Sequence, residues 1–323
     1  MCPLPLYGNI ASCIWNLLDV EKCIFSDTTM DLRKNGINMT RGDLNPDKTF
    51  YVIYRKHGGG IFSDVMHVML NVKAALENEM IPVVDMRLGR SFYNEKKAIN
   101  GTDNPWEYYF EQPCGYTLDE VYKSKNIVLS SGEVGEFANF YFSKKASPIY
   151  KAYLRAHPAL IEEIEQFSGT FFTSGKILGV HFRGGDMIRA PEHETPPDPV
   201  RMIAKVNEFL EKHPVDRIFL VTEVLEYAYL FKKMFPDKLL LAEEFRGTNT
   251  INHYRIKYPR ENHRYLLGRE AIINTFLLSR ANYLIAGGKS MIASGSNISR
   301  TAQILNDNKY EAQSYIYSGV NPS

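Results

Sequence analysis

The sequence is poor in cysteine and has no long apolar run. Its four cysteines are Cys2, Cys13, Cys23 and Cys114, and no two of them form a C-x-x-C pair. This scatter is typical of neither a disulfide framework nor a zinc site, so it predicts a reducing, cytoplasmic environment. No stretch of about 18 apolar residues occurs, and the sequence therefore predicts no membrane-spanning helix.

An excess of charge of either sign is also missing. The chain has 38 basic and 37 acidic side chains, which give a formal net charge of +1. Such a balance excludes a polyanionic partner bound through overall charge, so no nucleic-acid partner is expected. The first residues lack a basic segment followed by a long apolar run, so they predict no signal peptide. Trp15, Leu17 and Leu18 are nevertheless apolar enough to suggest peripheral contact with a membrane.

What the sequence does contain is a repeated alternation of strand and helix patterns. Short β-rich runs at 50–54, 81–85 and 126–130 alternate with helical spacing in the first half. In the second half, near-continuous apolar runs predict strands at 176–182, 217–222, 238–241 and 282–286, with helices between them and at 297–305. This is the pattern of an α/β protein with parallel sheets of Rossmann type.

The length of 323 residues predicts two domains rather than one. A small polar stretch between residues 165 and 175 marks the expected boundary, which gives domains at 1–170 and 171–323. Two Rossmann-like domains are expected to face each other across a cleft. Because ligands of such sheets bind beyond the carboxyl ends of the strands, residues at those ends are the candidates for function.

The strand at 176–182 is followed by a loop that carries charge and glycine. The segment is His181-Phe182-Arg183-Gly184-Gly185-Asp186. An arginine here can hold a diphosphate by charge-assisted hydrogen bonds, and the two glycines let a phosphate approach the backbone. The alternative interpretation is a strand end whose arginine and aspartate pair with each other.

A second candidate lies where the last predicted strand meets the last helix. The segment 287–300 is rich in glycine and serine, and free backbone N–H groups at a helix N-terminus can bind an anion. Ordinary capping of the helix by Ser296 or Asn297 is the alternative. The segment is not a phosphate-binding loop of the G-x-x-x-x-G-K-[ST] type, because Tyr283 stands where the first glycine is required.

Taken together, these segments resemble a known family. H-x-R-x-G-D after a buried strand is similar to the signature of the GDP-fucose-dependent fucosyltransferase superfamily, which includes α1,6-, α1,2- and protein O-fucosyltransferases. Further resemblance to the bacterial surface-polysaccharide branch runs in order along the chain from about residue 50. It is carried by the segments 58–63, 106–110, 193–197, 221–223, 231–238, 266–270, 277–280 and 296–299.

The resemblance implies a GT-B fold and an inverting transfer that needs no metal ion or other cofactor. L-fucose would pass from GDP-fucose to a glycan acceptor, which can be lipid-linked, during synthesis of a bacterial surface polysaccharide. The sequence agrees in lacking a D-x-D or His/Asp cluster where a divalent ion would bridge a diphosphate, so arginine and helix-end N–H groups would neutralise the leaving group.

The resemblance also suggests roles for individual residues. Arg183 would bind the β-phosphate, and Asp186 would orient Arg183 or a donor hydroxyl. The remaining donor-site candidates are His181, Gly184, Gly185, Thr222, Glu223, Ser294, Ser296, Asn297 and Ser299. The glycine-rich loop supplies the acceptor-side candidates, which are Gly59, Gly60, Phe62 and Ser63.

The catalytic base is left open between two carboxylates. Direct displacement needs a base near the acceptor hydroxyl, and Glu192 and Glu194 follow the H-x-R-x-G-D loop closely enough to serve. His193 lies between them. No residue of the family can be matched to either one securely, because the loop lengths differ.

One departure from the family pattern bears on specificity. The α1,6 and α1,2 enzymes commonly carry a second arginine directly after the first, and this chain has Gly184 there. The linkage, and to a lesser degree the donor sugar, therefore stay open. The alternatives are a transferase that uses GDP-mannose or a GDP-heptose, and a non-catalytic nucleotide- or glycan-binding protein of the same fold.

Overall fold

The chain divides into two α/β units, each built around its own sheet. The computed structural model describes residues 30–131, 146–173, 175–188, 194–248, 260–288, 296–307 and 309–319, and for Asp186 the backbone alone. The first unit is Met1–Pro158 and the second is Ala159–Ser323. Residues 159–170, which the sequence analysis assigned to the first domain, form most of a helix that belongs to the second unit.

The first unit is built on a four-stranded mixed sheet in the order β1-β4-β2-β3. Its strands are β1 (Ile37–Met39), β2 (Leu44–Ile53), β3 (Ile81–Val84) and β4 (Ser124–Leu129). β2 pairs in parallel with β3 and β4, and β1 is antiparallel to β4. Its helices are α1 (Leu32–Asn35), α2 (Ile61–Glu77), α3 (Leu118–Val121) and α4 (Ala146–Tyr153), with a 3₁₀ turn at Met86–Leu88.

The second unit contains a five-stranded sheet in which every pairing is parallel. Its strands are β5 (Ile177–His181), β6 (Arg217–Val221), β7 (Leu239–Leu240), β8 (Tyr283–Gly287) and β9 (Ala312–Ile316). They lie in the order β7-β6-β5-β8-β9. Numbered within the unit, this is the order 3-2-1-4-5 of the Rossmann fold.

Helices connect these five strands. They are α5 (Pro158–Phe171), which leads into β5, α6 (Pro199–Lys212), α7 (Leu225–Met234), α8 (His263–Leu278) and α9 (Asn297–Leu305). Asp198 starts α6 with a capping bond to the backbone N–H of Val200, directly before Pro199 at the first helical position. A 3₁₀ turn at Gly185–Ile188 follows β5.

The hydrophobic core of the second unit explains why the apolar runs form strands. Leu178, Val180, Ile218, Leu220 and Ile285 are fully buried and pack in one cluster with residues of the flanking helices. Gly179 lets α8 approach this sheet closely, because a Cβ at that position would lie 2.5 Å from Cδ1 of Leu278. The helix–sheet contact thus depends on the absence of a side chain there.

Most strand and helix predictions are confirmed within a few residues. The final strand β9 was missed, because its residues 312–316 include Gln313 and Ser314 and only Ile316 is buried. Helices α4 and α5 were missed as well. The segment from Asn104 to Gln112 is a series of turns whose Trp106, Tyr109 and Phe110 are buried.

One expectation about cysteine is wrong. Cys114 is buried and disulfide-bonded. Among the described residues no helix combines the length and the apolar character that crossing a membrane requires. Trp15, Leu17 and Leu18 lie outside the described residues.

Candidate functional site

The candidate site of the second unit lies at the switch point of its sheet. Chain connections run to one side from β5 and to the other side from β8, and crevices at such points bind ligands. Arg183, two residues after β5, and Gly287, the last residue of β8, line one pocket there. The other lining residues are His181, Met187, Glu194, Thr195, Pro196, Pro197 and Ser296.

This pocket is small in the part of the chain that is described. Its volume is about 30 Å³, which is room for one or two water molecules. The segments 189–193 and 289–295, which adjoin it in sequence, lie outside the described residues. Glu192, Ser294 and the side chain of Asp186 are among the parts not described. The structure nevertheless brings Ser296 to the pocket lined by His181, Arg183 and Glu194, although Ser296 is far from these three residues in sequence.

His181 and Ser299 form a buried pair beside Arg183. Nδ1 of the imidazole lies 2.6 Å from Oγ of Ser299, and the two residues are 2% and 0% exposed. Burial lowers the pKa of His181 to about 3, and the positive charge of Arg183 adds to the shift. The imidazole is therefore neutral at pH 7, and such a low pKa does not suit a general base. The role of this pair is to join the end of β5 to the first turns of α9.

The N-terminus of α9 faces the same pocket through Ser296. Ser296 is the N-cap residue, and its side chain makes no capping hydrogen bond to the helix. Asn297 is partly exposed as the first helical residue. Ser296 therefore does not cap α9 through its side chain. The backbone N–H groups in the first turn of α9 can bind an anion.

The loop after β5 is held by the end of the neighbouring strand β6. The backbone N–H of Gly184 donates to Oε1 of Glu223 over 3.0 Å. Gly185 has φ of +56°, in the left-handed region that favours glycine, and this turns the chain into the 3₁₀ helix. Thr222 is fully buried, and its Oγ1 accepts from the N–H of Val224. Thr222 and Glu223 therefore shape the loop that carries Arg183.

Glu194 lines the same pocket, and its charge acts on Arg300 of α9. Its charge raises the pKa of Arg300, which burial lowers more strongly. The backbone N–H of Thr195 donates to the carbonyl of Gly319, so this segment is tied to the end of the described chain. Of the two carboxylates considered as the base, Glu194 lines the pocket, and Glu192 lies outside the described residues.

A buried ionic cluster next to this loop was not found by sequence analysis. Glu244 accepts from Nη2 of Arg246 at 2.6 Å and from Nδ2 of Asn274 at 2.7 Å. Glu270 accepts from Nη1 of Arg260 at 2.5 Å and from the backbone N–H of Phe245 at 3.1 Å. The sequence signal for this cluster was the pair of adjacent glutamates Glu243 and Glu244, a few residues after β7.

The glycine-rich loop of the first unit is fixed by a second buried ion pair. Asp64, 5% exposed, accepts from Nη1 of Arg55 at 2.7 Å and from the N–H of Gly59 at 3.0 Å. Burial raises the pKa of Asp64 to about 6, against the opposing effects of these two donors. Nη1 of Arg55 also donates to Ser63. Neither Arg55 nor Asp64 was among the candidates.

The acceptor-side candidates therefore differ in exposure. Gly59, Gly60 and Ser63 are partly exposed around the start of α2. Phe62 is 2% exposed and belongs to the core of the unit. No group of three or more His, Cys, Asp or Glu side chains arranged to hold a metal ion occurs among the described residues.

No protein-family model and no curated protein matches the sequence. Solved structures are similar in fold. A mutant of the fucosyltransferase FUT1 from Arabidopsis thaliana, in complex with GDP, matches over 99% of this chain and 81% of its own, with 11% identity and a TM-score of 0.50.

Two further structures match more weakly. Fucosyltransferase NodZ from Bradyrhizobium shows 14% identity over 80% of this chain and 93% of its own, with a TM-score of 0.49. POFUT1 in complex with GDP-fucose shows 11% identity over 84% and 99%, with a TM-score of 0.40. At such identities a similarity establishes only the fold, so the chain is an α/β protein with the GT-B fold of two Rossmann-like domains.

Proposed function

We propose that this chain is an inverting glycosyltransferase of the GDP-fucose-dependent superfamily, which transfers L-fucose from GDP-fucose to a glycan without a metal ion. The observation that carries the proposal is the meeting of Arg183 with the N-terminus of α9 at the switch point of the sheet. A guanidinium and helix-end N–H groups are the two kinds of donor that can neutralise a departing diphosphate. The GDP complex of the Arabidopsis protein, whose fold is similar, supports the choice of nucleotide.

The residues of this chain would divide the work as follows. Arg183 would bind the β-phosphate and stabilise the charge that develops on GDP as the glycosidic bond breaks. The backbone at Gly184 and Gly185, shaped by Thr222 and Glu223, would lie along the diphosphate. The α9 N-terminus with Ser296 and Asn297 would complete the anion site, and His181 with Ser299 would hold α9 against β5.

Glu194 is the candidate that we propose for the base. It is partly buried in the pocket that contains Arg183, as a base near the reacting centre must be. Inversion requires the acceptor hydroxyl to attack the face of the sugar opposite to GDP, with its proton passing to the carboxylate. A glycan of a bacterial surface polysaccharide, which can be lipid-linked, is the proposed acceptor.

The first experiment measures which nucleotides the purified protein binds and which donor it consumes. Thermal stabilisation is recorded with GDP, UDP and CMP, each with and without EDTA; a ligand at 100 times its Kd adds about 2.7 kcal/mol to stability. We expect GDP alone to stabilise the protein, and EDTA to change nothing. A response to UDP, or to no nucleotide, would overturn the donor assignment.

Transfer is then tested with GDP-fucose, GDP-mannose and a GDP-heptose against a panel of glycans. The product is analysed by NMR for the anomeric configuration, which must be opposite to that of the donor. If GDP-mannose or GDP-heptose is consumed in place of GDP-fucose, the proposed glycosyl transfer stands and the assignment of fucose as the donor sugar is wrong. Binding of GDP without turnover of any donor would favour the non-catalytic binding protein.

A further inference from the structure

Two hollows adjoin on the first unit, and no candidate residue of the sequence analysis lines either of them. Hollow 1, of about 420 Å³, is lined by Arg41, Asp85, Arg87, Tyr122 and the apolar side chains of Met39, Leu88 and Leu129. Hollow 2, of about 430 Å³, includes Arg87, Glu107, Glu111, Tyr116, Thr117 and Arg155 among its lining residues. Volumes of this size are usual for ligand sites. Because Arg87 lines both hollows, we treat them as one groove.

Arg87 is fixed between the two hollows by a buried carboxylate. Asp85 is 1% exposed; its Oδ1 accepts from Nε of Arg87 at 2.8 Å, and its Oδ2 accepts from Nη2 at 2.9 Å. The hydroxyl of Tyr122 donates to Oδ2 as well, at 2.8 Å. Nη1 of Arg87 lies 3.3 Å from the carboxylate of Asp103. A guanidinium has five N–H groups, and these bonds use three of them, so two N–H groups of Arg87 can donate to a ligand.

Hollow 2 offers hydrogen-bond donors and acceptors together. Oε2 of Glu111 accepts from Nε of Arg155 at 2.8 Å. Glu107 accepts from the hydroxyl of Thr102 and from Nε2 of Gln112, both at 2.7 Å. Each carboxylate oxygen has further lone pairs, and a sugar hydroxyl is both a donor and an acceptor. Such a surface suits a sugar better than an apolar chain, which would desolvate these charged groups without bonding to them.

Hollow 1 has an excess of positive charge. Asp85 balances the charge of Arg87, whereas Arg41 forms no ion pair with the described residues. The guanidinium carbon of Arg41 lies 5.9 Å from the ring centroid of Tyr122, a distance at which a cation and an aromatic ring attract each other. Apolar side chains line the same hollow. This arrangement suits a sugar that packs against the apolar side chains and directs an acid group to Arg41.

The groove adjoins the glycine-rich loop of the first unit. A few residues after Arg87, the chain runs beside that loop, and the backbone N–H of Gly58 donates to the carbonyl of Arg90 at 2.6 Å. The two segments touch at Gly89, where a Cβ would lie 1.8 Å from the carbonyl oxygen of Arg55. A chain molecule in the groove is thus led toward the loop that carries the acceptor-side candidates.

We propose that this groove binds the acceptor as an acidic oligosaccharide, with the carboxylate of one sugar paired to Arg41 and the hydroxyls of its neighbours bonded in hollow 2. The inference rests on the proposed function, since it takes the ligand of the groove to be the acceptor of the transfer. It adds the class of that acceptor, which is a chain of several sugars with at least one carboxylate.

The test measures the binding of tetrasaccharides by saturation-transfer NMR and calorimetry. The probes are tetramers of galacturonic acid, of glucuronic acid and of N-acetylneuraminic acid, each compared with the same tetramer after reduction of its carboxyl groups to alcohols. Reduction removes the charge and keeps the length and the linkage of the chain. The wild type is compared with Arg41→Ala and Leu88→Glu. Arg33→Ala is the matched control, because Arg33 is an exposed arginine of the same unit that lines neither hollow.

We expect at least one acidic tetramer to bind about tenfold or more tightly than its reduced form, the usual value of a charge-assisted hydrogen bond. Arg41→Ala should remove this preference, and Arg33→Ala should keep it. Leu88 is 48% exposed, so Leu88→Glu should fold normally and weaken the binding of the acidic tetramer alone, by repulsion. In the transfer assay Arg41→Ala should raise the KM of the acidic acceptor by the same factor, with kcat and the Kd of GDP nearly unchanged.

Three results would overturn the inference: equal binding of acidic and reduced tetramers, binding of no tetramer, or an equal loss of affinity in Arg33→Ala and Arg41→Ala. GDP binding is measured on the same preparations. If GDP binds and no tetramer does, the inference fails and the proposed function stands. If an acidic tetramer binds through Arg41 but the protein consumes no donor, the groove stands as an oligosaccharide site and the proposed transfer is wrong.

Discussion

Removal of the Ser299 hydroxyl separates two explanations of why a serine stands at this place. If the hydroxyl mainly holds His181, its loss should destabilise the protein before any ligand is added. If it mainly holds a phosphate, its loss should weaken GDP binding and leave the free protein nearly unchanged. The structure favours the first explanation, because Oγ lies 2.6 Å from the imidazole and Ser299 is fully buried.

The size of the effect follows from what Ser299→Ala leaves behind. Nδ1 of His181 would stay buried without its partner, and an unsatisfied buried polar group costs about 1–3 kcal/mol. In a domain of 150–250 residues each kcal/mol lowers the Tm by roughly 2–4 °C. We therefore expect Ser299→Ala to unfold about 2–12 °C below the wild type.

A double-mutant cycle provides the control. His181→Leu alone leaves the Ser299 hydroxyl buried without its partner, while His181→Leu with Ser299→Ala removes both polar groups. Since replacing both partners of a buried hydrogen bond costs far less than orphaning one, the double variant should be more stable than the sum of the single changes predicts, by about 0.5–3 kcal/mol. Unfolding is followed by circular dichroism, and the Kd of GDP is measured for the same four proteins.

Two results would refute the argument. One is strict additivity in the cycle, which would mean that the two side chains do not interact. The other is a Tm of Ser299→Ala equal to that of the wild type, together with a GDP affinity lowered tenfold or more. That second result would show that Ser299 binds the phosphate, which is the role that the sequence analysis predicted for it.

Three further outcomes are expected. Arg183→Ala should lower GDP affinity about tenfold to a hundredfold, the value of charge-assisted hydrogen bonds, and Arg183→Lys should recover part of it; unchanged affinity would remove Arg183 from the donor site. Gly179→Val should cost about 1–3 kcal/mol or more in urea unfolding, because its Cβ would meet Leu278, whereas Gly169→Ala, in α5 with open space around it, should be neutral or stabilising. Because the pKa of His181 is about 3 in the folded chain and near 6.5 when unfolded, unfolding takes up a proton between these values, so stability falls as pH drops through that window. The His181→Leu, Ser299→Ala double variant should show a slope smaller by about 1.4 kcal/mol per pH unit there, and equal slopes would contradict the shift.

Much of the fold could be predicted because its cause is local. The strands at 177–181, 217–221 and 283–287 are short apolar runs. Near-continuous apolar character of this kind is typical of strands that are buried on both faces of a parallel sheet. The strand β9 lacks that signal, since four of its five residues are only partly buried. Its place beside β8 is decided by parallel backbone pairing along the whole of that strand.

The candidate site could be predicted only in part. Arg183 was recognised because charge and glycine follow a buried strand, which is a pattern within a few residues. Glu244 and Asp64 carry no such pattern, because a carboxylate in sequence gives no sign of whether it will be solvated or buried. Their raised pKa values arise from burial, which is a property of the packed molecule.

The sequence alone thus determined the elements and the strand ends at which ligands can bind, since hydrophobic periodicity and turn chemistry act between near neighbours. Tertiary structure decided which distant side chains share a site. His181 and Ser299 are 118 residues apart, and Gly184 and Glu223 are 39 apart. Each pair meets because parallel strands align their carboxyl ends, and the resulting exclusion of water sets the charge that each group can hold.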